Sequence, residues 1–176
     1  MITVRAATPD EFLRVGELTV AAYRALSVDH LFGGYDKRIL DTAARARGAE
    51  VLVAVVDGRV VGAVTYVGDS SSEWSEWTEP GEAQFRLLAV DPAARGQGAG
   101  AALLRACTER AAAAGSTIVI HTTPWMQIAQ GMYERSGFVR RSDRDVPYEE
   151  WKEDDFDLPD EWAGQAFLAY SWSATD

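Results

Sequence analysis

With 176 residues, 47% of them apolar and 10% aromatic, the chain has the size and composition of one globular domain rather than of a disordered segment. Its formal charge of −10 argues against a surface built around nucleic-acid phosphates, which require clustered Lys and Arg, and suits a cationic or neutral partner. The longest apolar runs, such as Val51 to Val56, are far short of the roughly 20 residues of a membrane-spanning helix; no basic-then-apolar leader opens the chain, and the lone Cys107 has no disulfide partner, so a cytoplasmic protein without membrane contact is expected.

Ile2 to Ala7 predicts a short strand. Thr8-Pro9-Asp10-Glu11 then sets a hydroxyl cap, a proline at the first helical position and an acid three residues past the cap, and Phe12, Val15, Leu18, Val20 and Tyr23 carry a helix to about Ala25. After a loop, Asp36 to Gly48 predicts a second helix, with Ile39, Leu40 and Ala43 on one side. Two Val-rich runs, Glu50 to Val56 and Arg59 to Val67, meet at Asp57-Gly58 and predict a hairpin. Asp69 to Gly81, polar but carrying Trp74 and Trp77, reads as a mobile connection.

A strand over Glu82 to Val90 follows, then a helix from Gly98 to Ala114 closed by Gly115, and a buried strand from Ile118 to Thr122. Pro124 to Ser136 predicts another helix, closed by Gly137. Phe138 to about Val146 and Ala166 to Trp172 are the last two predicted strands, separated by an acidic, aromatic segment. The order is β α α β β β α β α β β.

The chemistry concentrates where the strand ending Leu88-Ala89-Val90-Asp91-Pro92 runs into Arg95-Gly96-Gln97-Gly98-Ala99-Gly100 and then a helix. Glycines let backbone N–H groups close around phosphate oxygens, and the first helical turn adds unpaired donors and the positive end of its dipole. A pyrophosphate fits both. The turn lacks the Gly-Lys-Ser/Thr ending of a P-loop, and its glycines are not spaced as in a dinucleotide fingerprint.

This segment resembles the Q/R-x-x-G-x-G/A acyl-CoA signature of the GNAT superfamily of N-acetyltransferases. Downstream, Ala129-x-x-Met132-Tyr133-Glu134-Arg135-Ser136-Gly137-Phe138 is similar to that family's A-x-x-L/M-Y-x-x-x-G-F form. The resemblance implies a single α/β (α+β) domain over residues 1–176. Its mixed, mostly antiparallel and partly splayed sheet would have about seven strands flanked by about four helices. Acetyl-CoA is the implied co-substrate, held by backbone groups of Leu88, Ala89 and Val90 along its pantetheine arm and of Arg95, Gly96, Gln97, Gly98, Ala99 and Gly100 around its pyrophosphate. Tyr133 matches the family tyrosine that serves the departing thiolate, and a phenol with pKa near 10 holds its proton at neutral pH.

Where many relatives carry a glutamate base, this chain has Gln84. Glu82, two residues earlier on the same strand face, is the nearest candidate to act directly or through water. His121 is a second candidate, at the end of a strand beside the expected acetyl site; His30 is a weaker one. Two distant histidines and one cysteine give no metal-ligand cluster, and Cys107 falls on a core stripe with Leu103 and Leu104. The acidic, aromatic residues of Asp143 to Glu161 could recognise a cation, with Trp74, Trp77, Tyr23 and Tyr35 as weaker candidates for the same pocket. The expected acceptor is the primary amine of a small cationic molecule, attacked directly in a ternary complex. Alternatives are a protein N-terminus or lysine as acceptor, or a catalytically silent acyl-CoA sensor. The sequence also allows a homodimer.

Overall fold

The computed structural model describes residues 1–25, 35–151 and 164–175. Among them, eight strands are present: β1 (Ile2–Ala6), β2 (Glu50–Val56), β3 (Arg59–Val67), β4 (Glu82–Val90), β5 (Thr117–Thr122), β6 (Val139–Arg140), β7 (Val146–Pro147) and β8 (Ala166–Trp172). They join in the order β1-β2-β3-β4-β5-β8-β6, with β7 also paired to β8. Every pair is antiparallel except β4 with β5. Five helices flank the sheet: α1 (Phe12–Arg24), α2 (Tyr35–Leu40), α3 (Thr42–Gly48), α4 (Ala99–Ala114) and α5 (Gln127–Arg135). No described helix is long and apolar enough to cross a membrane.

Strand alternation divides the core between the two faces of the sheet. On β2, Leu52 and Ala54 turn toward Leu103, Leu104 and Cys107 of α4, together with Phe85, Ile118, Ile120 and Tyr133. Val51 and Val53 turn the other way, toward Val15, Leu18 and Ala22 of α1. Gly16 lets α1 approach α2 closely: a Cβ there would stand 2.7 Å from the backbone oxygen of Leu40. In the β2–β3 hairpin, Asp57 and Gly58 both take positive φ, 50° and 75°, matching the twist of the strands they join.

Three expectations need correction. The helix read over Asp36 to Gly48 is two helices, because Asp41 leaves the helical conformation and its carboxylate accepts the Ala44 N–H at 2.8 Å, capping α3. Ile39 is buried as expected, whereas Leu40 and Ala43 are exposed and Arg45 is buried in their place. The strand read over Phe138 to Val146 is interrupted between β6 and β7. There the Asp145 carboxylate accepts the Ala169 N–H at 2.9 Å and pairs with Arg140 at 2.5 Å, a side chain doing the work of a ladder carbonyl. The Asp69–Gly81 connection, though neither helix nor strand, is fastened: Ser72 Oγ donates to the Gly48 carbonyl at 2.6 Å, and Trp74 is buried under the Arg38 guanidinium.

The α1 entry forms the expected capping box, in which Glu11 accepts the Thr8 N–H at 2.9 Å and also pairs with Arg5 at 2.7 Å. Hydrogen bonding to Arg5, aided by the Thr8 amide, pulls the Glu11 pKa from 4.5 down to about 2. A carboxylate with a depressed folded-state pKa stabilises fully above its unfolded value and loses that contribution as pH falls through the folded one. Urea unfolding of Glu11→Gln is therefore expected to show lower stability than wild type at neutral pH, with the two converging between pH 4.5 and about 2.

Candidate active site

β4 and β5 run side by side only at Glu82–Thr117 and Ala83–Ile118, then separate. The separation coincides with an irregularity in β4, whose register with β3 shifts between Ala63 and Thr65 and whose Leu87 has φ +53°. Such backbone in a leucine costs about 1–3 kcal/mol and persists only where the surroundings hold it. The gap opens into a cavity of about 710 Å³.

One end of the cavity is the glycine turn. Gly96 and Gly98 have φ of +78° and +88°, α4 begins without a side-chain cap, and a Cβ on Gly96 would meet nothing within 4 Å. The first-turn amides of α4 lack intrahelical partners, and Gly98, Ala99 and Gly100 share the cavity wall with Arg95 and Arg135. Asp91 steadies the approach by accepting the Ala93 N–H at 3.0 Å and pairing with Arg14 at 2.6 Å.

Tyr133 stands in the wall midway, packed against Phe85, Phe138 and Tyr170 with ring centroids 5.7 to 6.0 Å apart. Burial drives its phenol far above the ordinary tyrosine value, so it stays protonated. The same interior pushes the Cys107 thiol up to about 12.

The far end is formed by Gln84, Glu76, Trp77, His121, Trp125 and Phe167. Gln84 explains itself here: its amide donates to the Glu76 carbonyl at 3.0 Å and accepts the Glu76 N–H at 3.2 Å, which a carboxylate could not do at both places. His121 Nε2 lies 3.0 Å from the Arg144 carbonyl, which only accepts, so Nε2 carries the hydrogen and Nδ1 keeps its lone pair, buried without a partner among the described residues. Burial lowers the His121 pKa, keeping the ring neutral.

A glycine turn beyond a distorted strand, at the mouth of a splayed parallel pair, is the arrangement of one known family, and residues 16–138 match the model of the acetyltransferase (GNAT) family. The chain belongs to the GNAT acetyltransferase family. It is similar to an acetyltransferase of that family from Staphylococcus aureus Mu50, at 14% identity over 98% of this chain and 99% of that one, with TM-score 0.70. A ribosomal-protein-S18-alanine N-acetyltransferase from Escherichia coli aligns at 16% identity over 98% and 94%, TM-score 0.66. A GNAT family acetyltransferase from Brucella melitensis in complex with acetyl-CoA aligns at 25% identity over 79% and 83%, TM-score 0.59. No curated protein matches the sequence.

The acetyltransferase thus uses acetyl-CoA as co-substrate, and its residues suit that molecule. The open glycine cradle and two arginines would suit its phosphates, and the β4 backbone past Ala83 has no β5 partner. Of the residues expected to hold it, Leu88, Ala89, Val90, Arg95, Gly96, Gly98, Ala99 and Gly100 line the cavity, while Gln97 is exposed and off its wall.

Tyr133 also lies on the wall, but Glu82 does not. Arg144 holds both Glu82 oxygens at 2.8 and 3.0 Å, and the Glu79 N–H donates at 2.8 Å. Although partial burial opposes its ionisation, these partners keep the Glu82 pKa below the ordinary value. Of the weaker candidates, Tyr23 and Trp77 reach the cavity and Trp74 is buried elsewhere. His30, most of the acidic segment and the side chain of Tyr35 lie outside the described residues.

Neither the Leu87 distortion nor the clamping role of Gln84 follows from the sequence pattern; the one local signal is that the alternation of Glu82 to Leu87 gives way to the apolar run Leu87 to Val90. Gly98→Ala would place a Cβ on backbone at φ +88°. It is expected to raise the Kd for acetyl-CoA about tenfold in calorimetric titration, while circular dichroism shows the helices retained.

Proposed function

We propose that this acetyltransferase, acting as one domain, moves the acetyl group of acetyl-CoA onto the primary amine of a small cationic molecule by direct attack in a ternary complex. The observation that supports this reading is one cavity lined by the glycine turn, by Tyr133 and, away from the turn, by Gln84, Trp77 and His121. Acetyl-CoA supplies the thioester: the amine nitrogen bonds to the carbonyl carbon, the carbon–sulfur bond breaks, one proton leaves the amine and one ends on the sulfur.

In this reading Tyr133 is the proton donor. A phenol with so high a pKa would not acidify water-exposed thiolate, but a thiolate held in the same interior is a strong base, as the raised Cys107 thiol illustrates. His121, on the cavity wall with a neutral ring, is the group assigned to take the amine proton, a role that requires its buried Nδ1 to turn toward the cavity. Glu82 serves as a positioning carboxylate that orients Arg144, whose guanidinium donates to the Trp77 carbonyl and whose own backbone carbonyl meets the His121 ring at Nε2. Its depressed pKa makes it a poor proton acceptor near neutrality.

The test is CoA release from acetyl-CoA across a panel of amines. Tyr133→Phe is expected to lower kcat about 100-fold while leaving the KM for acetyl-CoA within roughly twofold of wild type. An unchanged kcat would remove Tyr133 from the mechanism. Acetyl-CoA binding without turnover of any amine would replace the enzyme with an acyl-CoA sensor.

A further inference from the structure

Resting on that reading, we propose that the acceptor amine carries an aromatic or similarly planar apolar body, as in the 2-arylethylamines, and that Trp77 is its main specificity-determining residue. Trp77 has φ +55°, left-handed backbone that a bulky residue adopts only when its surroundings enforce it. Three anchors do so. Gln84 holds the preceding peptide at both its N–H and its carbonyl, Arg86 pairs with the Glu76 carboxylate at 2.7 Å, and Arg144 donates to the Trp77 carbonyl at 3.1 Å. The indole they present packs against His121 at 5.0 Å and Phe167 at 5.2 Å between ring centroids. Trp151 packs on Phe167 at 5.5 Å and, with Trp125, completes an aromatic wall around the far end of the cavity.

The charges there point the same way. Among the described residues, Glu76 is the carboxylate on the cavity wall, and it is already paired with Arg86, which lines the wall as well. Among the described residues at this end of the cavity, that pair leaves neither a second carboxylate for the remote ammonium groups of a polyamine nor an uncommitted cation for the carboxylate of an amino acid. A monoamine with a flat apolar body needs neither. Its ring gains offset or edge-on contacts with preorganised aromatics, and its ammonium group is attracted to ring faces before it loses its proton.

The test compares kcat/KM, at saturating acetyl-CoA, for phenethylamine and tryptamine against spermidine and L-alanine, in wild type, Trp77→Ala and Trp77→Phe. Binding of phenethylamine to the CoA-loaded protein is measured by calorimetry, and acetyl-CoA binding by the rise in melting temperature. The arylethylamines are expected to exceed the other acceptors by at least about tenfold. Trp77→Ala should reduce their kcat/KM roughly 10- to 100-fold with the KM for acetyl-CoA unchanged, and Trp77→Phe should retain most of it. Preference for spermidine or L-alanine, an equal loss for every acceptor in Trp77→Ala, or no calorimetric binding of phenethylamine overturns the proposal while the acetyltransferase reading stands. Phenethylamine that binds without being acetylated, in a protein whose melting temperature rises with acetyl-CoA, upholds the aromatic site and overturns the catalytic reading instead.

Discussion

The parting of β4 from β5 is the constraint on which the rest of this protein depends. A parallel pair closes its ladder wherever both backbones stay extended, and here the ladder stops after two residues, beyond which Leu87 turns to positive φ. Antiparallel pairing with β3 holds one edge of β4 through the distortion, so the other edge is left with unpaired donors and acceptors facing a cavity instead of a neighbour. Unpaired backbone is expensive when buried away from partners, and here it lines an open cavity rather than a packed interface. The glycine turn lies at one end of the same strand and the clamped loop before Glu82 at the other. The two ends of the cavity are therefore joined by a single strand rather than built on independently placed elements.

Along that strand the electrostatic character changes in steps. Arg95 and Arg135 stand with the glycine turn, Tyr133 sits in an aromatic setting in the middle, and the far end holds the paired charges of Glu76 and Arg86. The net charge of −10 is thus a poor guide to the cavity. Carboxylates that looked available from the sequence are engaged: Glu82 by Arg144, Asp143 by Arg141 and Asp145 by Arg140. Ion pairs near a low-dielectric wall fix geometry more than they add stability, and here they hold the backbone of the loop that carries Trp77.

Gln84 shows how a departure from a family pattern can be physically sufficient. Its amide satisfies both groups of the Glu76 peptide, binding the 69–81 connection to β4 where a carboxylate would leave the carbonyl without a donor. That strand position is committed to structure, and the titratable side chains that reach the cavity come from other elements: His121 from β5 and Tyr133 from α5. Glu82, the nearest carboxylate in sequence, is drawn off by Arg144, which arrives from 62 residues downstream.

Local signals in the sequence determined most of the elements. The Thr8–Glu11 cap, the Asp57-Gly58 turn, the glycines closing α4 and α5 and the Val-rich runs of β2 and β3 each act within a few residues, so they could be read without knowing what lay across the fold. The phosphate turn was legible for the same reason, since it is built from consecutive backbone amides. Only the tertiary structure decided where β4 leaves β5, which carboxylates are engaged, and which tryptophan faces the cavity. Trp74 and Trp77 are three residues apart in one polar stretch, yet one is buried beside Gly48 and the other forms part of the cavity wall. That division depends on Gln84, Arg86 and Arg144, contacts between residues distant in the chain that no local pattern encodes.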